Sequence, residues 1–127
     1  MCYSSEVKIF DVIYAELEGK GSEQKGVRPC VVIQNDIGNK FSKTVIIIPF
    51  TSHLKKINQP THLVVKNNET NGLTKMSMLL AENLTVISKE RIKDIVGRIE
   101  EKDVQKDIID CYIANITGRK NNGRRIQ

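Results

Sequence analysis

"PCVVIQN", residues 29–35, and "TVIIIPF", residues 44–50, are the two stretches that decide the fold. Both are near-continuous apolar runs rich in Val and Ile, the pattern of strands buried on both faces. Between them lies "DIGNKFSK" (36–43), a connection of hairpin length containing Gly38 and Asn39, so the two strands are expected to pair antiparallel. That pairing has a geometric consequence. Residue 28 begins one strand and residue 51 ends the other, which brings Arg28 and Thr51 to the same end of the sheet. Pro29 also restricts Arg28 to an extended backbone, and it marks where the loop "GSEQKGV" (21–27) gives way to a buried strand.

Outward from this pair the chain shows two regimes. Residues 7 to about 87 are short β-branched runs broken by turn chemistry. "VKIFDVIYAEL" (7–17) reads as a first strand, "THLVVK" (61–66) as another and "NNETNG" (67–72) as a turn; "SMLLAENL" and "TVI" close the β part. From Ser88 a helical regime is expected, with Ser88 as N-cap and Glu90 in the first turn of "KERIKDIV". "GRI" (97–99) reads as one more short strand. The final helix covers about 101–117, where Val104, Ile108, Cys111, Tyr112 and Ile116 fall on one stripe at helical spacing. Gly118 stands where a glycine cap belongs. Together these elements predict an α+β domain: a compact, strongly bent antiparallel sheet or small barrel, a short additional helix and a C-terminal helix.

The bulk numbers narrow the class. A chain of 127 residues suits one domain with a real core, and with no tryptophan that core is built from Ile, Val and Leu. The longest apolar run, residues 45–50, is far too short to span a bilayer, and "MCYSSEVKIF" lacks the pattern of a secretory signal. A cytoplasmic protein is expected. Cys2, Cys30 and Cys111 are odd in number and widely spaced, which points to neither a disulfide framework nor a zinc site. The net charge of +5 is largely a tail property: "RKNNGRRIQ" (119–127) holds four basic residues and no acid, leaving sixteen basic against fifteen acidic elsewhere. That tail is expected to be disordered, so the chain divides into a domain at 1–118 and the tail. Nucleic acid binding by the body therefore requires a local patch rather than global charge.

Candidate chemistry is sparse. A lone arginine before proline is ordinarily a solvated loop residue, but one held at a strand mouth can grip a phosphate with its planar fork. Thr51 and Ser52, at the end of the second strand, either satisfy turn backbone or serve a ligand. His53 has the pKa range of a general base, whereas His62 is expected to pack on a strand face. No cluster of histidines or carboxylates offers metal ligands, and no metal or cofactor is expected. "GSEQKG" is not a phosphate-binding loop of the nucleotide hydrolases, because Val27-Arg28 follows Gly26 and no helix comes next.

"GSEQKGVRPCVVIQND", "TVIIIPFTS" and "GLTKMSMLLAENLTVISKERI", in that order, resemble the MazF/PemK/Kid family of type II toxin–antitoxin toxins over residues 7–118. The resemblance implies an SH3-like barrel with a C-terminal helix, a homodimer and a metal-independent, sequence-specific endoribonuclease acting on single-stranded RNA. It matches Arg28 and Thr51 to the family's catalytic pair; His53, on its own chemistry, is the fallback base. It further implies RNA contacts at Ser22, Glu23, Gln24, Ser52, Glu82 and Asn83, and a cognate MazE-like antitoxin whose acidic, disordered C-terminal segment blocks the site. The chain departs from the family pattern at Phe10-Asp11, at Glu82-Asn83 and in the tail, none of which touches Arg28 or Thr51. Two other readings belong to different classes: a CcdB-like gyrase-binding toxin without nuclease activity, and an inactive or DNA-binding relative. A gyrase binder would need neither Arg28 nor Thr51, and a near-neutral body gives DNA binding little support.

Overall fold

In the computed structural model residues 7–18 and 25–119 are described. The elements are β1 (Asp11–Glu18), β2 (Lys25–Val32), α1 (Asp36–Phe41), β3 (Thr44–Thr51), β4 (His62–Val65), β5 (Ser77–Leu80), β6 (Thr85–Ser88), β7 (Ile92–Arg98) and α2 (Lys102–Thr117). Short 3-10 turns occupy Ala81–Asn83 and Lys89–Arg91. All strand pairings are antiparallel, in the order β4-β5-β3-β2-β1-β7, with β6 also on β3.

β2 and β3 pair as the apolar runs require, but their connection is not a hairpin turn. It forms α1, because Asn35 caps it by accepting from the Gly38 amide (2.8 Å). Asn39 then turns inward and is buried, giving its amide to the Gln34 carbonyl at 2.8 Å and accepting from Gln34 Nε2 at 3.1 Å. Asn and Gly favour a turn or a helix boundary equally well, so the cap decides between them.

A second correction concerns the stretch after Ser88. Ser88 does cap, accepting from the Glu90 amide at 3.2 Å, but only for the three-residue turn Lys89–Arg91. Residues 92–98 are strand β7, not helix, and they cover the outer edge of β1. Ile92, opposite Ala15, and Ile95, opposite Ile13, both pack on one core. Tertiary pairing overrides the local helical signal. At the N-terminus, residues 7–10 precede β1 and end in Phe10 at φ 72.

The sheet is buried on both faces. Val12, Val31, Ile48 and Phe50 pack with Ile108 and Cys111 of α2. Ile13, Ala15, Cys30, Val32, Val45 and Ile47 alternate to the other face and form a second core with Ile87 and Ile92. Helix α2 occupies its expected span and ends at Gly118 in the left-handed conformation (φ 72). Its buried stripe is narrower than expected: Ile108, Cys111 and Ala114 are inside, whereas Tyr112 is 45% and Ile116 83% exposed. Among the described residues no helix is long and apolar enough to cross a membrane.

The 67–72 turn lies directly on β7. Arg98 donates its amide to the Thr70 carbonyl at 2.9 Å, and a Cβ at Gly97 would come within 2.4 Å of that oxygen. Backbone rather than a movable side chain is the obstacle. Gly97→Ala is therefore expected to destabilise the fold by about 3 kcal/mol, read as a lower midpoint in thermal unfolding. An unchanged midpoint would show that the turn can lift off the strand.

Candidate active site

Two prolines shape the site. The β2–β3 ladder runs from Val32–Ile47 through Val31–Ile48 and stops at Cys30–Pro49. Pro29 and Pro49 have no N–H to give to a ladder, so the two strands part there. β3 goes on along its other edge to pair with β5, through Phe50–Leu79 and Thr51–Met78. β2 stays on β1, where Arg28 lies opposite Ala15.

Extended two steps beyond its last pair, the β2–β3 register would set Arg28 across from Thr51. Strand alternation puts both on the face of Cys30 and Ile47, away from α2. This is the mouth between two diverging strands. The arginine is half-buried and Thr51 is 8% exposed.

Thr51 Oγ1 accepts the His53 amide at 3.1 Å. An acceptor site of the hydroxyl is thereby filled, which leaves its hydrogen as the group to offer a ligand. Ser52 and His53 follow at exposed positions at the same mouth. Cys30 is no rival nucleophile: its thiol gives a 3.4 Å bond to the Arg28 carbonyl, and burial pushes its pKa up to about 12 against a weaker opposing pull from the Arg28 charge. A thiol so placed stays protonated at neutral pH.

Glu82 and Asn83 lie elsewhere. They sit in the turn after β5, four and five residues past Met78, the partner of Thr51. Glu82 is engaged on both oxygens: Oε1 accepts from the Thr61 hydroxyl and Oε2 lies against His62 Nε2, each at 2.8 Å. Its side chain remains 37% exposed, so one flank stays open. Ser22, Glu23 and Gln24 fall outside the described residues, as do Cys2 and residues 120–127 of the basic tail.

His62 is buried as expected on β4, but it is not simply packed apolar surface. Its Nδ1 lies 2.9 Å from the Lys56 carbonyl and its Nε2 2.8 Å from Glu82. Nothing in the sequence signals this network, because its partners are 6 and 20 residues from His62 and meet only through the β4–β5 register. Among the described residues no group of three or more His, Cys, Asp or Glu could hold a metal ion.

Comparison with known proteins adds a second line. Residues 8–108 match the family described as PemK-like, MazF-like toxin of type II toxin-antitoxin system. The chain is 40% identical over 101 residues to endoribonuclease EndoA of Bacillus subtilis, covering 79% of this chain and 86% of the relative. It is 38% identical over 97 residues to endoribonuclease MazF of Staphylococcus saprophyticus, covering 76% and 80%. Among solved structures, MazF of Deinococcus radiodurans superposes with a TM-score of 0.70 at 14% identity, covering 87% of this chain and 96% of that one. A mycobacterial endoribonuclease solved in complex with its cognate antitoxin gives 0.69 at 18% identity, covering 87% and 95%.

Proposed function

The chain belongs to the PemK-like, MazF-like toxin family of type II toxin–antitoxin systems, and from that membership we propose a metal-independent, sequence-specific endoribonuclease that cuts single-stranded RNA at the Arg28–Thr51 mouth. The observation that carries the proposal is the β2–β3 register, which ends at Cys30–Pro49 and, carried two residues further, would set Arg28 across from Thr51. Both curated relatives are named endoribonucleases.

RNA brings its own nucleophile, so the enzyme need only align the 2′-OH with the phosphorus and stabilise charge. The bond from O2′ to phosphorus forms as the bond from phosphorus to O5′ breaks. The 2′-OH proton leaves to a base, for which His53 is the fallback candidate, and the departing O5′ takes up a proton. Products are a 2′,3′-cyclic phosphate, which water can then open to a 3′-phosphate, and a 5′-OH. Arg28 neutralises the charge that builds on the non-bridging oxygens with its planar fork. A guanidinium with a pKa above about 12 does not readily release a proton, so charge stabilisation is its role. Thr51 donates its hydroxyl hydrogen to a phosphoryl oxygen. Unpaired RNA is favoured, because a duplex hides base edges.

Ser52 beside the mouth and Glu82 and Asn83 farther back would meet different nucleotides, which suits selection of a short sequence. Ser22, Glu23 and Gln24, in the loop before Arg28, would cover the bound strand. The sheet is read as an SH3-like barrel, the protein as a cytoplasmic homodimer, residues 1–118 as the toxin domain and 119–127 as an appended tail. An acidic antitoxin segment occupying the Arg28 mouth would inhibit it, in keeping with the antitoxin complexes solved for structural neighbours.

The test is incubation of purified protein with a long unstructured RNA in EDTA. Cleavage at a restricted set of sites is expected. RNA left intact would contradict the nuclease and return the gyrase-binding alternative to consideration.

A further inference from the structure

The loop from Ser52 to Thr61 leaves the mouth at Thr51 and returns to β4. It carries Lys55 and Lys56, both exposed, with Leu54 39% and Ile57 50% exposed beside them. Cations flanked by apolar side chains are what the phosphates and unstacked bases of a single strand require. This loop has little regular structure of its own. Lys56 sits at φ 55, a left-handed conformation uncommon for a residue with a side chain. A local turn closes it, with the Gln59 amide on the Lys56 carbonyl (3.0 Å) and the His62 amide on the Gln59 carbonyl (2.9 Å).

The remaining restraint is His62, which is 6% exposed. Its Nδ1 reaches the same Lys56 carbonyl from outside the turn, while Nε2 reaches Glu82 in the Ala81–Asn83 turn. Both partners are acceptors, so both bonds form together only with a proton on each ring nitrogen or one shared with the carboxylate. Thr61 ties the loop's end to the other Glu82 oxygen, and Gln59 Nε2 donates to the Thr61 hydroxyl at 3.2 Å. Asn115 of α2 holds the Ala81 carbonyl from behind at 2.9 Å. The ring thus bridges the loop that leaves the mouth and the Glu82–Asn83 turn set back from it, and its own anchorage is in the sheet.

We infer that His62 is a positioning residue that holds the β3–β4 loop, with Lys55 and Lys56, as the track for RNA on one side of the scissile phosphate. The inference rests on the ribonuclease reading above. It differs from a purely structural role in that the two ring nitrogens have separable duties: Nδ1 sets the loop and Nε2 sets the Glu82–Asn83 turn.

Amide side chains separate them. In His62→Asn the amide nitrogen can stand in for Nδ1, and in His62→Gln for Nε2. Hydrogen exchange and steady-state cleavage are measured on both variants and on His62→Ala. Exchange at the Gln59 amide is expected to quicken by about tenfold in His62→Gln and His62→Ala and to stay near wild type in His62→Asn. KM for RNA is expected to rise by about tenfold in the same two variants, with a smaller change in kcat and a changed distribution of cut sites. Equal exchange and equal KM in all four proteins would overturn the inference, as would a loss shared by the Asn and Gln variants alike. If the wild-type protein leaves RNA intact, the ribonuclease reading alone fails; the exchange pattern then still upholds the bridge when it splits as stated and overturns it when it does not.

Discussion

Arg28→Ala is expected to lower kcat/KM for RNA cleavage by about a thousandfold, with a protein that still folds and still elutes at the wild-type position on a sizing column. The magnitude follows from the role. Removing one donor from a site that stabilises developing charge lowers a rate by about 100- to 1,000-fold, and a guanidinium on a transferring phosphoryl group is worth at least as much. Folding should tolerate the change, because Arg28 is half-buried and its backbone pairing to Ala15, midway along the β1–β2 ladder, needs no particular side chain. Arg28→Lys keeps a charge but loses the fork, so it is expected to recover only part of the rate, by about tenfold over alanine. An alanine variant cleaving at the wild-type rate would remove Arg28 from the site.

Thr51→Val is the second large effect. Valine matches the shape of the threonine and keeps the buried position opposite Met78, but it has no hydroxyl to donate. It also leaves the His53 amide without its 3.1 Å acceptor. A fall in kcat of about a hundredfold is expected, with KM changed much less, since the bond strengthens as charge builds on the phosphate. Thr51→Ser restores the hydroxyl and should return most of the rate. A valine variant with full kcat and a raised KM would mean that Thr51 only holds substrate.

The antiparallel pairing of β2 and β3 was more legible in the sequence than the fold around it. The apolar runs before and after 36–43 require strands, antiparallel pairing follows from their short connection, and Arg28 and Thr51 then fall at one end whatever fills the gap. The antiparallel pairing survives the replacement of a hairpin turn by α1, because it depends on the strands and not on the connection, but β2 begins at Lys25, so Arg28 lies within the strand and not at its start. The stretch after Ser88 was less legible. Ser88 and Glu90 make a helix start, and only the exposed edge of β1, which no local pattern records, turns residues 92–98 into a strand. The same limit applies to His62. Its imidazole looks like any residue on a strand face until β4 and β5 are aligned and Glu82 comes within 2.8 Å. Contacts between segments far apart in the chain, not propensity, decide both cases.

Charge tells a related story. A body with sixteen basic and fifteen acidic residues has no global attraction for RNA. On the proposed site, binding would draw on Arg28 in the mouth together with Lys55 and Lys56 on the loop leaving it. Such a small set of cations predicts a shallower salt dependence than an extended basic surface would give.

The most direct test of the mechanism is the chemistry of the cut ends after cleavage in EDTA. Attack by the 2′-OH at the Arg28–Thr51 mouth yields 5′-hydroxyl fragments that polynucleotide kinase labels without prior phosphatase treatment, paired with 2′,3′-cyclic phosphate or 3′-phosphate termini. Fragments bearing 5′-phosphates and 3′-hydroxyls would contradict it, because they require water rather than the RNA's own hydroxyl as the nucleophile.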